Sequence, residues 1–139
     1  MLFEVMGKKG APAVLFFHAM GVVGASSAPV AKALQDRYCC ILPTSTVYCP
    51  GQRYVSKADE LRQVEDFLQQ RGVTRLEMVV GSSIGADLAV AFLAQTKLPV
   101  VHAFFDGGQF AQIGKGTRRI MCHFCIWLSR AWPGPRARP

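Results

Sequence analysis

Gly81-Ser82-Ser83-Ile84-Gly85 is the pentapeptide in this chain whose residue types and spacing most directly suggest chemistry. An apolar run, Leu76-Glu77-Met78-Val79-Val80, leads into it without a spacer, and small and apolar residues from Ala86 to Leu93 follow. Strand, then G-x-S-x-G, then helix is the pattern of a nucleophile elbow, in which a serine is pushed out on a tight turn above a sheet. The glycines have a steric purpose there, because side chains at Gly81 and Gly85 would collide with a neighbouring helix or strand. The pattern makes Ser83 the candidate nucleophile. A serine hydroxyl attacks a carbonyl at neutral pH only when a base takes its proton, a third group orients that base, and donors meet the oxyanion. The rest of the chain has to supply and position those groups.

The elements that could position them alternate. Leu2–Met6 reads as a short strand ended by Gly7-Lys8-Lys9-Gly10, and Ala13–Phe17 as a continuous apolar strand covered on both faces. His18-Ala19-Met20-Gly21 then opens a loop. A helix is predicted from Ser26 or Ser27 as its cap, with Val30, Ala33 and Leu34 as its apolar positions. Tyr38–Leu42 is the next strand, ended by Pro43, and residues 44–55 form a polar loop. Ser56-Lys57-Ala58-Asp59 is an approximate capping box for a helix carrying Leu61, Val64, Phe67 and Leu68 inward and Glu60, Gln63, Glu65 and Asp66 toward water, stopped by Gly72. After the elbow strand and its helix, Val100–Phe105 is the last strand and runs into Asp106-Gly107-Gly108. The expected fold is α/β, with a mostly parallel sheet of about five strands and helices on both faces. Ligands bind at the carboxyl ends of such strands, and His18, Ser83 and Asp106 all follow strand ends on that edge.

With these residues the chain resembles the α/β-hydrolase superfamily, in particular its small bacterial-type single-domain members, over about residues 11 to 110. Its anchors are the elbow and His18-Ala19-Met20-Gly21, similar to the family's His-Gly-x-Gly oxyanion loop with Ala19 in place of a glycine. The resemblance implies the N-terminal part of an α/β-hydrolase fold. It implies Ser83 as nucleophile and the amides of Ile84 and of Ala19 or Met20 as oxyanion donors, in a loop to which His18 belongs. Asp106 is the matching triad acid. The family's order of serine, acid, histidine calls for a late histidine: His18 precedes the serine, His102 lies early in a strand, and His123 falls in a stretch unlike the family. The implied activity is hydrolysis of a small ester, thioester or amide through an acyl-serine, with a small-molecule acyl substrate and no cofactor. The alternatives are a catalytically dead truncated fragment or pseudo-enzyme that at most binds, and a doubly wound nucleotide or phosphate binder using Gly81–Gly85 as an anion loop. The last lacks both Gly-x-Gly-x-x-Gly and a phosphate-loop lysine.

Composition narrows the class further. The 139 residues suffice for one domain, half are apolar and 18% are charged, which excludes a disordered chain. No apolar run is long enough to span a bilayer, and the amino terminus lacks the pattern of a secretory signal. The five cysteines are an odd number and are expected as reduced thiols, which points to the cytoplasm. Cys122-His123-Phe124-Cys125 is a lone C-x-x-C and predicts no metal site. The net charge of +7 is uneven: residues 1–114 carry ten basic and nine acidic side chains, while residues 115–139 carry six basic ones and no acid. That is not the basic face of a nucleic-acid binder. Residues 1–114 are therefore expected to form the N-terminal portion of a hydrolase core and 115–139 a basic tail. The change of composition near Met121 suggests a lost reading frame, and with it an incomplete sheet whose uncovered edge would favour self-association.

Overall fold

The computed structural model describes residues 1–108. The tail from residue 115, with His123, Cys122, Cys125 and the composition change near Met121, lies outside the described residues. Five strands form one sheet: β1 (Leu2–Met6), β2 (Ala13–Phe17), β3 (Cys39–Thr44), β4 (Leu76–Ser82) and β5 (Val100–Asp106), in spatial order β1-β3-β2-β4-β5. β3, β2, β4 and β5 run parallel, and β1 joins β3 antiparallel. Three helices connect them: α1 (Ala28–Leu34), α2 (Lys57–Gln70) and α3 (Ile84–Gln95). Parallel neighbours need crossovers, and α1, α2 and α3 provide them.

β2 is central because its sequence tolerates no water on either side: all five of its residues are buried. Its alternating side chains feed two cores. Ala13, Leu15 and Phe17 pack with Leu61, Val64 and Leu68 of α2 and with Ala89 and Phe92 of α3. Val14 and Phe16 face the other way, against Ala31 of α1, Cys40 and Leu42. Helices thus cover both faces, as the strand and helix alternation predicts. Against β2, β4 carries one extra residue, with Ala13 opposite Leu76 and Val14 opposite Met78. That irregularity lets Leu76 and Val79, three apart, share one face.

Four local expectations need correction. α1 is not capped by Ser26 or Ser27; the chain enters it from a 3-10 turn over Gly24–Ser27, and Ser27 already has helical dihedrals and makes no capping bond. Its buried face is Ala31 with Leu34 partly covered, whereas Val30 and Ala33 are exposed, because the helix packs through its short side chain. β3 does not stop at Pro43 but continues to Thr44. β2 pairs with β3 only as far as Ile41, so Pro43 has β1 alone as neighbour, opposite Phe3, and one side of the strand needs no amide there. Finally, Glu60 does not face water: it is 2% exposed. The rest of α2 follows its sequence, with Ser56 Oγ accepting from the Asp59 amide at 3.1 Å and Gly72 following the helix at φ +68°.

Cys39, Cys40 and Cys49 are buried, free thiols. Burial, and secondarily the neighbouring Cys39, push the Cys40 thiol above its ordinary value, so it stays protonated and inert. No helix among the described residues is long and apolar enough to cross a membrane.

Candidate active site

The carboxyl ends of β2, β4 and β5 come together on one edge. Gly81 sits between Phe17 and Phe105, and Ser82 lies opposite Asp106. Just past that row, Ser83 has φ 51° and ψ −119°, the positive-φ non-glycine position among the described residues. A side chain at such dihedrals is strained and persists only where its surroundings fix it. Here they do. The Ser83 amide donates to the Asp106 carbonyl at 2.7 Å, and its carbonyl accepts from the Ala86 amide at 2.9 Å to begin α3. A Cβ on Gly81 would stand 2.6 Å from Ala86 Cα, and one on Gly85 would stand 2.3 Å from the Phe17 carbonyl oxygen. Both glycines are thus demanded by close approach of backbone, Gly81 to α3 and Gly85 to the end of β2. Ser83 itself is exposed at the tip, and Ile84, the residue after it, opens α3 with a free amide position of the kind that binds negative charge.

Across from the elbow, residues 18–24 form a loop held by hydrogen bonds to the end of β3 and to the segment that follows it. The Ser45 amide donates to His18 Nε2 at 3.0 Å, which makes that nitrogen an acceptor. The ring proton is then on Nδ1, which donates to the Ala19 carbonyl at 2.8 Å. His18 is 8% exposed and has both nitrogens engaged, so it anchors the loop and has no nitrogen left for proton transfer. The peptide after Ala19 is trans, so with its carbonyl turned to the His18 ring, the Met20 N–H points the opposite way. The Gly21 amide donates to Tyr48 Oη at 2.7 Å and the Gly24 amide to Thr44 Oγ1 at 2.9 Å.

That supporting segment is itself tied down from α2. Thr46 is buried, and both its amide, at 2.8 Å, and its hydroxyl donate to Glu60 Oε1. A connected path therefore runs from Glu60 through Thr46 to Ser45 and Tyr48, and from those to His18 and Gly21. Neither Glu60 nor Tyr48 stands out in the sequence as a site residue. For Glu60 the available signal is its spacing, since Glu60, Val64 and Leu68 fall four apart on one stripe of α2.

Two cavities flank the elbow. One, of about 360 Å³, lies under Ile84 and Gly85 and reaches His18, Met20 and Tyr48. The other, of about 410 Å³, is bounded by Ala19, Val80, Ser82 and Asp106. Ser83, Ile84, Ala19, Met20 and His18 are thus brought to one neighbourhood, and the Asp106 main chain joins it, with its carboxylate exposed at the same edge. His102 is not: it pairs with Met78, early in β5, and lies roughly 13 Å down the strand from Asp106 at about 3.3 Å per residue. Among the described residues, then, no histidine nitrogen is available to Ser83.

No family model matches the sequence, and neither does any curated protein. Solved structures do match it. An α/β-hydrolase family protein of Desulfitobacterium hafniense superposes with a TM-score of 0.81 at 26% identity, over 97% of this chain and 56% of that one. The chain belongs to the α/β-hydrolase superfamily. Its sheet corresponds to the N-terminal part of that fold. An epoxide hydrolase of the same superfamily from hot-environment metagenomes matches with a TM-score of 0.70 at 15% identity, covering 98% of this chain and 56% of its own. A marine microorganism esterase matches at 0.77 and 15%, covering 96% and 51%. The hydrolase-like chain spans about half the length of each of these proteins.

Proposed function

We propose that Ser83 is the acylating nucleophile of a serine hydrolase acting on a small ester, thioester or amide. The observation that carries this is the strained serine between β4 and α3, held by Gly81, Gly85 and the Asp106 carbonyl, because nothing in the packing asks for a side chain at that backbone conformation. In this reading Ser83 Oγ attacks the acyl carbonyl carbon, the oxyanion is met by the Ile84 and Met20 amides, and the alcohol, thiol or amine leaves with a proton. The orientation of the Ala19 carbonyl toward His18 favours Met20 over Ala19 as the second donor. Asp106 is the acid of this reading, and among the described residues no histidine is placed to act as the base.

A second reading is favoured by one observation, that both His18 nitrogens are engaged and His102 lies far down β5: the chain then binds an acyl compound without turning it over. A fluorophosphonate probe on the full chain separates the two. Labelling of Ser83 that disappears in Ser83→Ala supports the hydrolase; absence of labelling in protein with an intact circular dichroism spectrum supports binding alone.

A further inference from the structure

The two cavities that flank the elbow are not equivalent. The one of about 360 Å³ has both Ile84 and Met20 in its wall, the residues whose amides are proposed to meet the oxyanion. The one of about 410 Å³ has Ser82 and Asp106 in its wall, but neither Ile84 nor Met20. In acyl transfer the leaving atom takes up a proton as its bond to the acyl carbon breaks, and that proton comes from the base that the acid orients. The leaving group therefore belongs on the Asp106 side. The acyl group is left with the cavity of about 360 Å³.

The polar groups around this cavity offer a ligand little. The Met1 ammonium donates to Gln52 Oε1 and to Gln63 Oε1, each at 2.6 Å. Glu60 Oε1 accepts from Thr46, both His18 nitrogens are bonded, and Tyr48 Oη accepts from the Gly21 amide. Asp87 Oδ1 is sealed from solvent, and Lys57 is exposed and can reach bulk water. What remains is apolar: Phe17 and Leu88 on the inner side, and Met20, Val47, Tyr54 and Ile84 around them. The last four are all exposed to solvent. Large apolar side chains gathered exposed around one opening mark a surface that an apolar molecule covers. A polar occupant would lose its water there and find no free partner. Size sets the length of the occupant. An apolar cavity of about 150 Å³ holds benzene, so this one has room for an unbranched chain on the order of ten carbons.

We propose that this cavity binds the acyl group, and that the substrates carry an unbranched apolar acyl chain of up to about ten carbons. Calling the occupant an acyl group rests on Ser83 acting as a nucleophile; the site for an apolar chain does not.

Calorimetric titration of the full chain with 2-alkanones of increasing length, which present a carbonyl and cannot be hydrolysed, tests the site. Affinity is expected to rise about two- to four-fold per added methylene and to level off near about ten carbons. Leu88→Phe fills the inner side and should move the levelling point to shorter chains; Val47→Trp, at an exposed position, serves the same comparison should the first variant fail to fold. Val30→Phe, at an exposed position lining the other cavity, should leave it unchanged. No dependence on length, a rise that never levels, or a levelling point that Leu88→Phe and Val47→Trp leave in place would overturn the proposal. So would a concentration-dependent dimer that binds no ketone, which would mean that a second copy covers the opening. A levelling series without fluorophosphonate labelling would support the site and remove the hydrolase. Labelling without such a series would remove the site and leave the hydrolase.

Discussion

The elbow and the loop after β2 lie at the same sheet edge, yet they are built on opposite principles. The elbow is held mostly by its own neighbours in sequence: two glycines, a strand before it and a helix after it, with the Asp106 carbonyl and the end of β2 at Phe17 as its distant contacts. The loop over residues 18–24 has little local structure and is pinned by Thr44, Ser45 and Tyr48, twenty to twenty-seven residues away. Those pins depend in turn on Glu60. Steric necessity fixes the first region and a chain of hydrogen bonds fixes the second. A steric device fails all at once, whereas a hydrogen-bonded one can loosen while the fold survives.

The largest expected effect is therefore at Gly85. Gly85→Ala places a methyl 2.3 Å from the Phe17 carbonyl oxygen, and that atom belongs to the buried central strand, so it cannot give way like a flexible side chain. A loss of about 3 kcal/mol is expected, at the upper end of overpacking effects. Urea denaturation should show a lower midpoint with little change in slope, because the whole sheet is affected. An equally stable variant would mean that the elbow backbone is softer than its contacts require.

The loop should respond differently to Glu60→Ala. The buried Thr46 amide and hydroxyl lose their acceptor, worth about 2 kcal/mol for two donors left in a partly solvated cavity wall. Much of that loss should appear locally. Amide exchange at Ser45 and Gly21 is expected to accelerate more than at Ser83, whose amide is bonded to Asp106 and not to the loop. Uniform acceleration at all three amides would show that the two regions open as one unit.

This contrast also explains what could be read from the sequence. The elbow, the span of β2, the body of α2 and the alternation of strands and helices depend on residues close in sequence, so their patterns are visible there. The loop's anchors are not, because nothing near Tyr48 or Ser45 reveals that it will meet residues 18–21. Glu60 is the instructive case. Its helical position matches Val64 and Leu68, so the spacing alone assigns it to the interior, but its charge argues for water until Thr46 is known to lie opposite. Pro43 is similar: a proline stops a strand flanked on both sides, and only the register reveals that the pairing of β3 with β2 stops at Ile41, before the proline. Asp87 in turn looks like an ordinary first-turn acid, yet its Oδ1 is buried without a hydrogen-bond partner.

The smallest expected effect is a gain. In the loop over residues 18–24 the left-handed position is occupied by Gly21, at φ +81°, which suits a residue without a side chain. At the elbow it is occupied by Ser83, which does not suit it, so strain is stored on one side of the site and not on the other. Ser83→Gly should release roughly 1–3 kcal/mol of strain, against about 0.5–1 kcal/mol for the greater freedom of glycine in the unfolded chain. The net expectation is a stabilisation of about 1 kcal/mol, read as a higher melting temperature, together with loss of any fluorophosphonate labelling. A side chain kept at a stability loss in a position where glycine fits better is one retained for what its hydroxyl does. If Ser83→Gly instead lowers the melting temperature, the serine side chain contributes packing at the elbow and the strain argument for a nucleophile fails.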